Sequence, residues 1–210
     1  MPNFVAITQD RLAESVTAAV IDRTGHTVIA VDGADAADPV ALARRFADSL
    51  RDVGRGADVV ALHDFVRPAS LRLEFGRDDE MSYRTAWFDY AALRREVLDA
   101  LRDDDRWLPA LWNERDDRSA RTPIRHARPG TVLVVAGPML LGRDLDFDLT
   151  VRLDMSEAAL RRRTPDSEHW TIEPLLRYRR ENPVTADFSV RWDHPDRPAL
   201  LDSPRGENRR

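Results

Sequence analysis

Apolar positions along this chain follow two alternating rhythms. Short runs at Thr27–Asp32 (Thr-Val-Ile-Ala-Val-Asp), 58–62 (Asp-Val-Val-Ala-Leu) and 131–135 (Thr-Val-Leu-Val-Val) are nearly continuous in Val, Ile, Leu and Ala. Runs of this kind suit strands covered on both faces of a parallel sheet. Residues 148–153 and 187–192 read as two further strands. Between the strands, apolar residues recur at helical spacing. Leu12, Val16, Ala19 and Val20 do so within 10–23, and Ala43, Phe46, Ala47 and Leu50 within 39–53. Tyr90, Leu93, Val97 and Leu101 do so within 89–102. Ser156 is placed to cap a short arginine-rich helix ending at Arg163, and residues 172–181 form another helix. Residues 67–84 read as an irregular polar stretch. Residues 103–129, with Trp107, Leu108, Leu111 and Trp112 among Arg and Asp, read as a small hairpin. Strands alternating with helices predict a three-layer α/β/α sandwich on a mainly parallel five-stranded sheet. One domain is expected over 1–202, with a disordered tail at 203–210.

The junction after the first strand carries the most information. Thr27–Asp32 runs into Gly33, and a helix starts at Pro39, which is the layout and loop length of a nucleotide-binding unit. The pattern Gly-x-x-x-x-Gly-Lys-Ser/Thr would put Gly at 38, Lys at 39 and a hydroxyl residue at 40. The chain has Asp38, Pro39 and Val40. Pro39 has no N–H to offer a phosphate, and Val40 has no oxygen for a metal. Asp38 sets a carboxylate where an anion would rest; two like charges at about 4 Å repel by roughly 4 kcal/mol at an effective dielectric of about 20. Asp38 and Pro39 instead suit an ordinary helix start, with Asp as N-cap and Pro in the first turn.

Composition narrows the chemistry. All 32 basic residues of the Lys+Arg count are arginine, so no distant lysine can restore the phosphate site, and Schiff-base chemistry is excluded. With no cysteine there is no disulfide, thiolate zinc site or cysteine nucleophile. The five histidines are scattered without a zinc spacing, and no metal ligands are predicted. There is no Gly-x-Ser-x-Gly elbow and no Gly-x-Gly-x-x-Gly turn. The net charge of −5 argues against a general nucleic-acid binder. No apolar stretch approaches the length of a membrane span, and no signal peptide is visible. A cytoplasmic protein without membrane or nucleic-acid partners is expected.

Several segments, in order and spacing, carry a family resemblance. They are Val28-Ile29-Ala30-Val31-Asp32-Gly33, His63-Asp64-Phe65-Val66-Arg67-Pro68, Phe75-Gly76-Arg77-Asp78, Ser82-Tyr83 and Phe88-Asp89-Tyr90. They continue with Ala127-Arg128-Pro129-Gly130-Thr131, Val135-Ala136-Gly137-Pro138-Met139 and Ala186-Asp187-Phe188-Ser189-Val190. Over roughly 10–200 the chain resembles the uridine kinase branch of the P-loop nucleoside and nucleotide kinases. The resemblance implies a P-loop NTPase-like fold and an ancestor that moved the end phosphate of ATP or GTP onto a nucleoside, which needs magnesium and a carboxylate base. It assigns the degenerate phosphate loop to Gly33, Asp38, Pro39 and Val40. His63 stands where the family's base Asp is expected, followed by Asp64. Ala136 replaces an acid near the metal, and Asn113 replaces an Asp that contacts nucleoside. The nucleoside side would be lined by Arg67, Arg77, Tyr83, Asp89 and Asn113. A lid-like segment at about 156–181 would carry the phosphate-clamping Arg161, Arg162 and Arg163.

Two readings follow from the resemblance. The first is a catalytically impaired kinase homologue that binds a nucleoside-like or nucleotide-like molecule, regulates a protein partner or self-associates, and has no assigned cofactor. The second is an active nucleoside kinase using ATP or GTP with magnesium, in which lid arginines hold the phosphates, His63 is the base and Asp64 helps bind metal.

Overall fold

The computed structural model describes residues 3–202, so the tail expected to be disordered lies outside the described residues. Five strands run parallel: β2 (Thr27–Asp32), β3 (Ala57–Ala61), β8 (Val132–Gly137), β9 (Leu149–Asp154) and β10 (Phe188–Arg191). The expected five-stranded sheet is extended to seven by two short antiparallel strands, β1 (Phe4–Ala6) and β11 (Ala199–Leu201), giving the order β1-β11-β10-β9-β2-β8-β3. Three-residue strands lack a period long enough to read, and these two are defined by pairing with each other.

Helices α1 (Gln9–Val20) and α2 (Pro39–Asp52) cover one face. Leu12, Val16, Leu42, Phe46 and Leu50 meet Ile29, Val31, Val134 and Val151 there with no solvent exposure beyond 2%. On the opposite face Val28, Val60, Leu133 and Val135 meet Phe65, Phe88, Leu93, Val97 and Leu101. The alternation of Ile29 and Val31 against Val28 splits one strand between two cores, which is why β2 is apolar throughout.

The second face carries the shorter helices. The polar stretch after β3 is not irregular throughout, because it forms α3 (Ala69–Arg72) and α4 (Glu80–Thr85). The helix expected at 89–102 begins as α5 (Tyr90–Leu93), widens into a π-type segment at Arg94–Asp99 and ends as α6 (Ala100–Asp104). The expected hairpin is two small ladders, β4 (Arg106–Trp107) with β7 (Arg125–His126) and β5 (Trp112–Asn113) with β6 (Arg118–Ser119). The segment expected to be lid-like comprises α7 (Glu157–Arg163), a 3-10 stretch at Asp166–Thr171 and α8 (Ile172–Glu181). Ion pairs Arg177–Glu80 at 2.8 Å and Arg84–Glu181 at 3.0 Å tie α8 to α4.

Candidate functional site

The loop after β2 begins with Gly33, whose N–H bonds the Gly137 carbonyl at 3.1 Å. A side chain here would meet Leu153, with a built Cβ only 3.0 Å from its Cβ. The chain then makes a 3-10 turn at Asp35–Ala37 that uses two loop amides internally. The Ala37 N–H bonds Ala34 and the Asp38 N–H bonds Asp35, at 2.8 and 2.9 Å. Asp38 adopts a left-handed conformation (φ 52°, ψ 58°), and its carboxylate accepts the Ala41 N–H at 3.1 Å. Pro39 follows as the first helical residue. Outside the turn, the Trp192 indole donates to the Ala37 carbonyl at 2.9 Å.

Next to this loop, at the C-terminal end of β3, a 3-10 turn (Leu62–Phe65) presents His63. The C-terminal ends of parallel strands are where open α/β sheets bind ligands. His63 Nε2 lies 3.0 Å from Asp35 Oδ1 and Nδ1 lies 2.9 Å from Glu114 Oε2. Burial opposes a charge on the ring, but the two carboxylates outweigh it and push the His63 pKa up to about 10. The Glu114 carboxyl is penalised by burial, yet His63 and Arg72 hold it below its ordinary value. Arg72, 5% exposed, donates to Glu114 Oε1 at 2.7 Å and to the Arg67 carbonyl at 2.6 Å. It also reaches Asp117 Oδ1 at 3.5 Å and stacks over Trp87 at 5.2 Å. Asp117 takes the Ala69 N–H and the Trp112 indole N–H on the same oxygen.

This chain of charges lines a crevice of about 490 Å³. Its apolar wall comprises Tyr83, Trp87 and Trp170, packed edge to face with Tyr83 5.5 Å from Trp87 and 5.2 Å from Trp170. Glu168 and Thr171 line it from the lid-like segment. A volume of this size suits a small organic ligand.

The residues expected to form the site divide sharply. His63, Arg77 and Tyr83 line the crevice together. Four others do not. The Asp64 carboxyl is pushed up by burial, against the effect of His63, and the Asp64 carbonyl accepts the Leu111 N–H. Arg67 contributes backbone, accepting from Arg72 and donating to the Trp87 carbonyl. The Asp89 carboxylate caps α5 by taking the Ala92 N–H at 2.9 Å. Asn113 bonds Asp116 across a turn. Both ring nitrogens of His63 face carboxylates, an arrangement that favours the charged form of the ring. Of the lid arginines, Arg161 pairs with Glu157 at 2.7 Å, and Arg162 bonds the Asp193 carbonyl. Only Arg163 turns toward the loop, lining a recess of about 150 Å³ with Ala34, Asp35 and Ala36.

Sequence reasoning missed Asp35, Arg72, Glu114, Asp117, Trp87 and Trp170. The two tryptophans, standing in polar stretches, were a usable signal. Nothing local marks Arg72 as buried.

A second cavity, about 60 Å³, lies between β2, β9 and α8. Asp32 borders it, accepting the Leu140 N–H at 2.9 Å and facing Arg152 at 3.8 Å. Burial outweighs both and raises the Asp32 pKa to about 6. Among the described residues, no group of three or more His, Cys, Asp or Glu is placed to hold a metal ion. No helix among them is long and apolar enough to cross a membrane.

Solved structures share this architecture. A protein from Bacillus stearothermophilus, proposed to be a uridine kinase, superposes with a TM-score of 0.69 at 18% identity, covering 86% of this chain and 96% of its own. One from Silicibacter sp. TM1040, proposed to be a fructose transport system kinase, gives a TM-score of 0.70 at 21% identity and covers 87% and 98%. The YGR205w protein gives 0.52 at 9% identity, covering 85% and 80%. No family model matches the sequence. No curated protein matches it. At these identities the likeness establishes the fold alone, an α/β architecture shared with those proteins.

Proposed function

We propose that this chain retains the acceptor-side crevice of a P-loop kinase and does not transfer phosphate, acting as a ligand-binding or regulatory protein for a nucleoside-like molecule. The observation that carries this reading is the state of the phosphate loop. Its Ala37 and Asp38 amides bond carbonyls of the loop itself, and its Asp38 carboxylate caps the helix that would otherwise face an anion.

Magnesium triphosphate, the co-substrate that the fold implies, does not fit the residues present. Pro39 and Val40 supply neither the cation nor the hydroxyl, and Ala136 is a fully buried strand residue where an acid would help with metal. The competing reading, an active kinase, needs His63 as base and the lid arginines as the phosphate grip. His63 is committed to two carboxylates, and Arg161 and Arg162 to the lid's own neighbourhood.

The test is phosphoryl transfer from labelled ATP or GTP to a panel of nucleosides by the purified protein, with magnesium. No transfer above background is expected. Magnesium-dependent transfer to any nucleoside would overturn the reading.

A further inference from the structure

The loop that grips phosphate in this fold has here turned one of its residues toward the other side of the site. Asp35 lines the 490 Å³ crevice with His63, Glu114 and Asp117. A count of hydrogen-bond capacity shows what that wall can offer. His63 takes Asp35 Oδ1 and Glu114 Oε2, and Arg72 takes Glu114 Oε1. Asp117 Oδ1 receives the Ala69, Arg72 and Trp112 donors. Among the described residues, Asp35 Oδ2, Asp117 Oδ2 and both carboxylate oxygens of Glu168 have no protein donor. The Asp35 and Asp117 side chains are 47% and 42% exposed, so these oxygens are open to a ligand.

The crevice is therefore rich in acceptors. Two of its cations, His63 and Arg72, are spent inside the network, which leaves Arg77 at the rim. A ligand must bring donors, and a phosphate brings only acceptors and like charge. The indoles of Trp87 and Trp170 and the ring of Tyr83 add an apolar wall suited to the flat face of a ring.

We propose that Asp35 is a specificity-determining residue. The former phosphate loop forms a wall that accepts hydrogen bonds from the hydroxyls of a neutral, phosphate-free sugar ring. That ring belongs either to a free sugar or to a nucleoside. The inference rests on the reading above that no phosphate is transferred here, and it adds the ligand class and the residue that enforces it.

The crevice tryptophans give the readout. Tryptophan fluorescence and calorimetric titrations would compare uridine with uridine 5′-monophosphate, and D-fructose with fructose 1-phosphate. We expect one neutral compound to bind at least about tenfold more tightly than its own phosphate, the scale of one misplaced like charge. Uridine or fructose as that compound tells nucleoside from free sugar. Asp35→Asn should shrink the ratio at least about threefold, mainly by strengthening the phosphate. Because Asp35 also bonds His63, Glu168→Gln serves as a second variant: it is exposed and without a protein partner, and it should shift the ratio in the same direction with unchanged melting temperature. Equal or tighter binding of the phosphates, a ratio unmoved by both variants, or no binding of either neutral compound at about 10 mM, far beyond specific-site affinities, would each overturn the proposal. Phosphate transfer in the kinase assay would sink the functional reading instead, and the two failures are read in separate experiments.

Discussion

His63 Nε2 and Asp35 Oδ1 lie 3.0 Å apart, joining the turn after β3 to the loop after β2 across 28 residues of sequence. The same ring reaches Glu114 at 2.9 Å, so one imidazolium ties together a loop, a strand end and a hairpin. A residue standing where the family resemblance expects a catalytic base has both ring nitrogens facing carboxylates.

That role has a pH signature. The folded-state pKa of His63 is raised from 6.5 to about 10, so its contribution to stability is complete below about pH 6.5 and is lost as pH rises through 10. His63→Gln is expected to cost about 1–2 kcal/mol at pH 6.5, discounted because the ring is 38% exposed. That corresponds to a melting-point drop of about 2–8 °C. Paired melting curves from pH 6 to 10.5 check it, and a deficit that stays constant over that range would remove the ion pairs from the account.

Asp32 runs the opposite way. Its pKa is raised from 3.8 to about 6, so the fold favours the neutral acid, and a cost of ionisation appears as pH climbs through that window. Asp32→Asn keeps an acceptor for the Leu140 N–H and removes the buried charge. Its melting temperature relative to the parent should rise between pH 4 and pH 7.5. A relative fall over the same interval would show that the Arg152 pairing outweighs desolvation.

Gly137 ends β8 beneath Leu62, and a Cβ built on it would lie 2.4 Å from the Leu62 Cβ. The Gly137 backbone is held in place, because β8 is paired on both edges. Gly137→Ala should destabilise by about 3 kcal/mol or prevent soluble expression, at the upper end of overpacking costs. Chemical denaturation measures this; a loss below about 1 kcal/mol would mean that the turn after β3 shifts freely.

Rebuilding the phosphate loop should fail. Asp38→Gly, Pro39→Lys and Val40→Ser together restore the expected pattern, but they leave Ala136 and the His63 ion pairs unchanged and remove the α2 cap. The triple variant is expected to show no magnesium-dependent transfer from ATP and a melting temperature lower by a few degrees, in keeping with a lost cap of about 1 kcal/mol. Robust transfer by this variant would show that the loop alone separates the chain from kinase chemistry.

What the sequence by itself determined is whatever depends on neighbours in the chain. The unbroken apolar runs specified β2, β3 and β8, and the spacing of Ala43, Phe46, Ala47 and Leu50 specified α2 and its buried face. The Asp38-Pro39 pair specified the capped helix start. Tertiary structure alone decided which distant groups meet. Asp35, His63, Arg72, Glu114 and Asp117 come from separate turns, short helices and a hairpin whose mutual placement follows from crossovers and from the packing of Phe65, Phe88 and Leu93. It turned Asn113 to solvent and the adjacent Glu114 toward the crevice, and it added β11 and the edge strand β1 by pairing the two ends of the described chain. Local periodicity reports the face that a residue presents to its own element. The charge partner it finds depends on how the elements stack, because burial and Coulomb energy act through space and carry no local period.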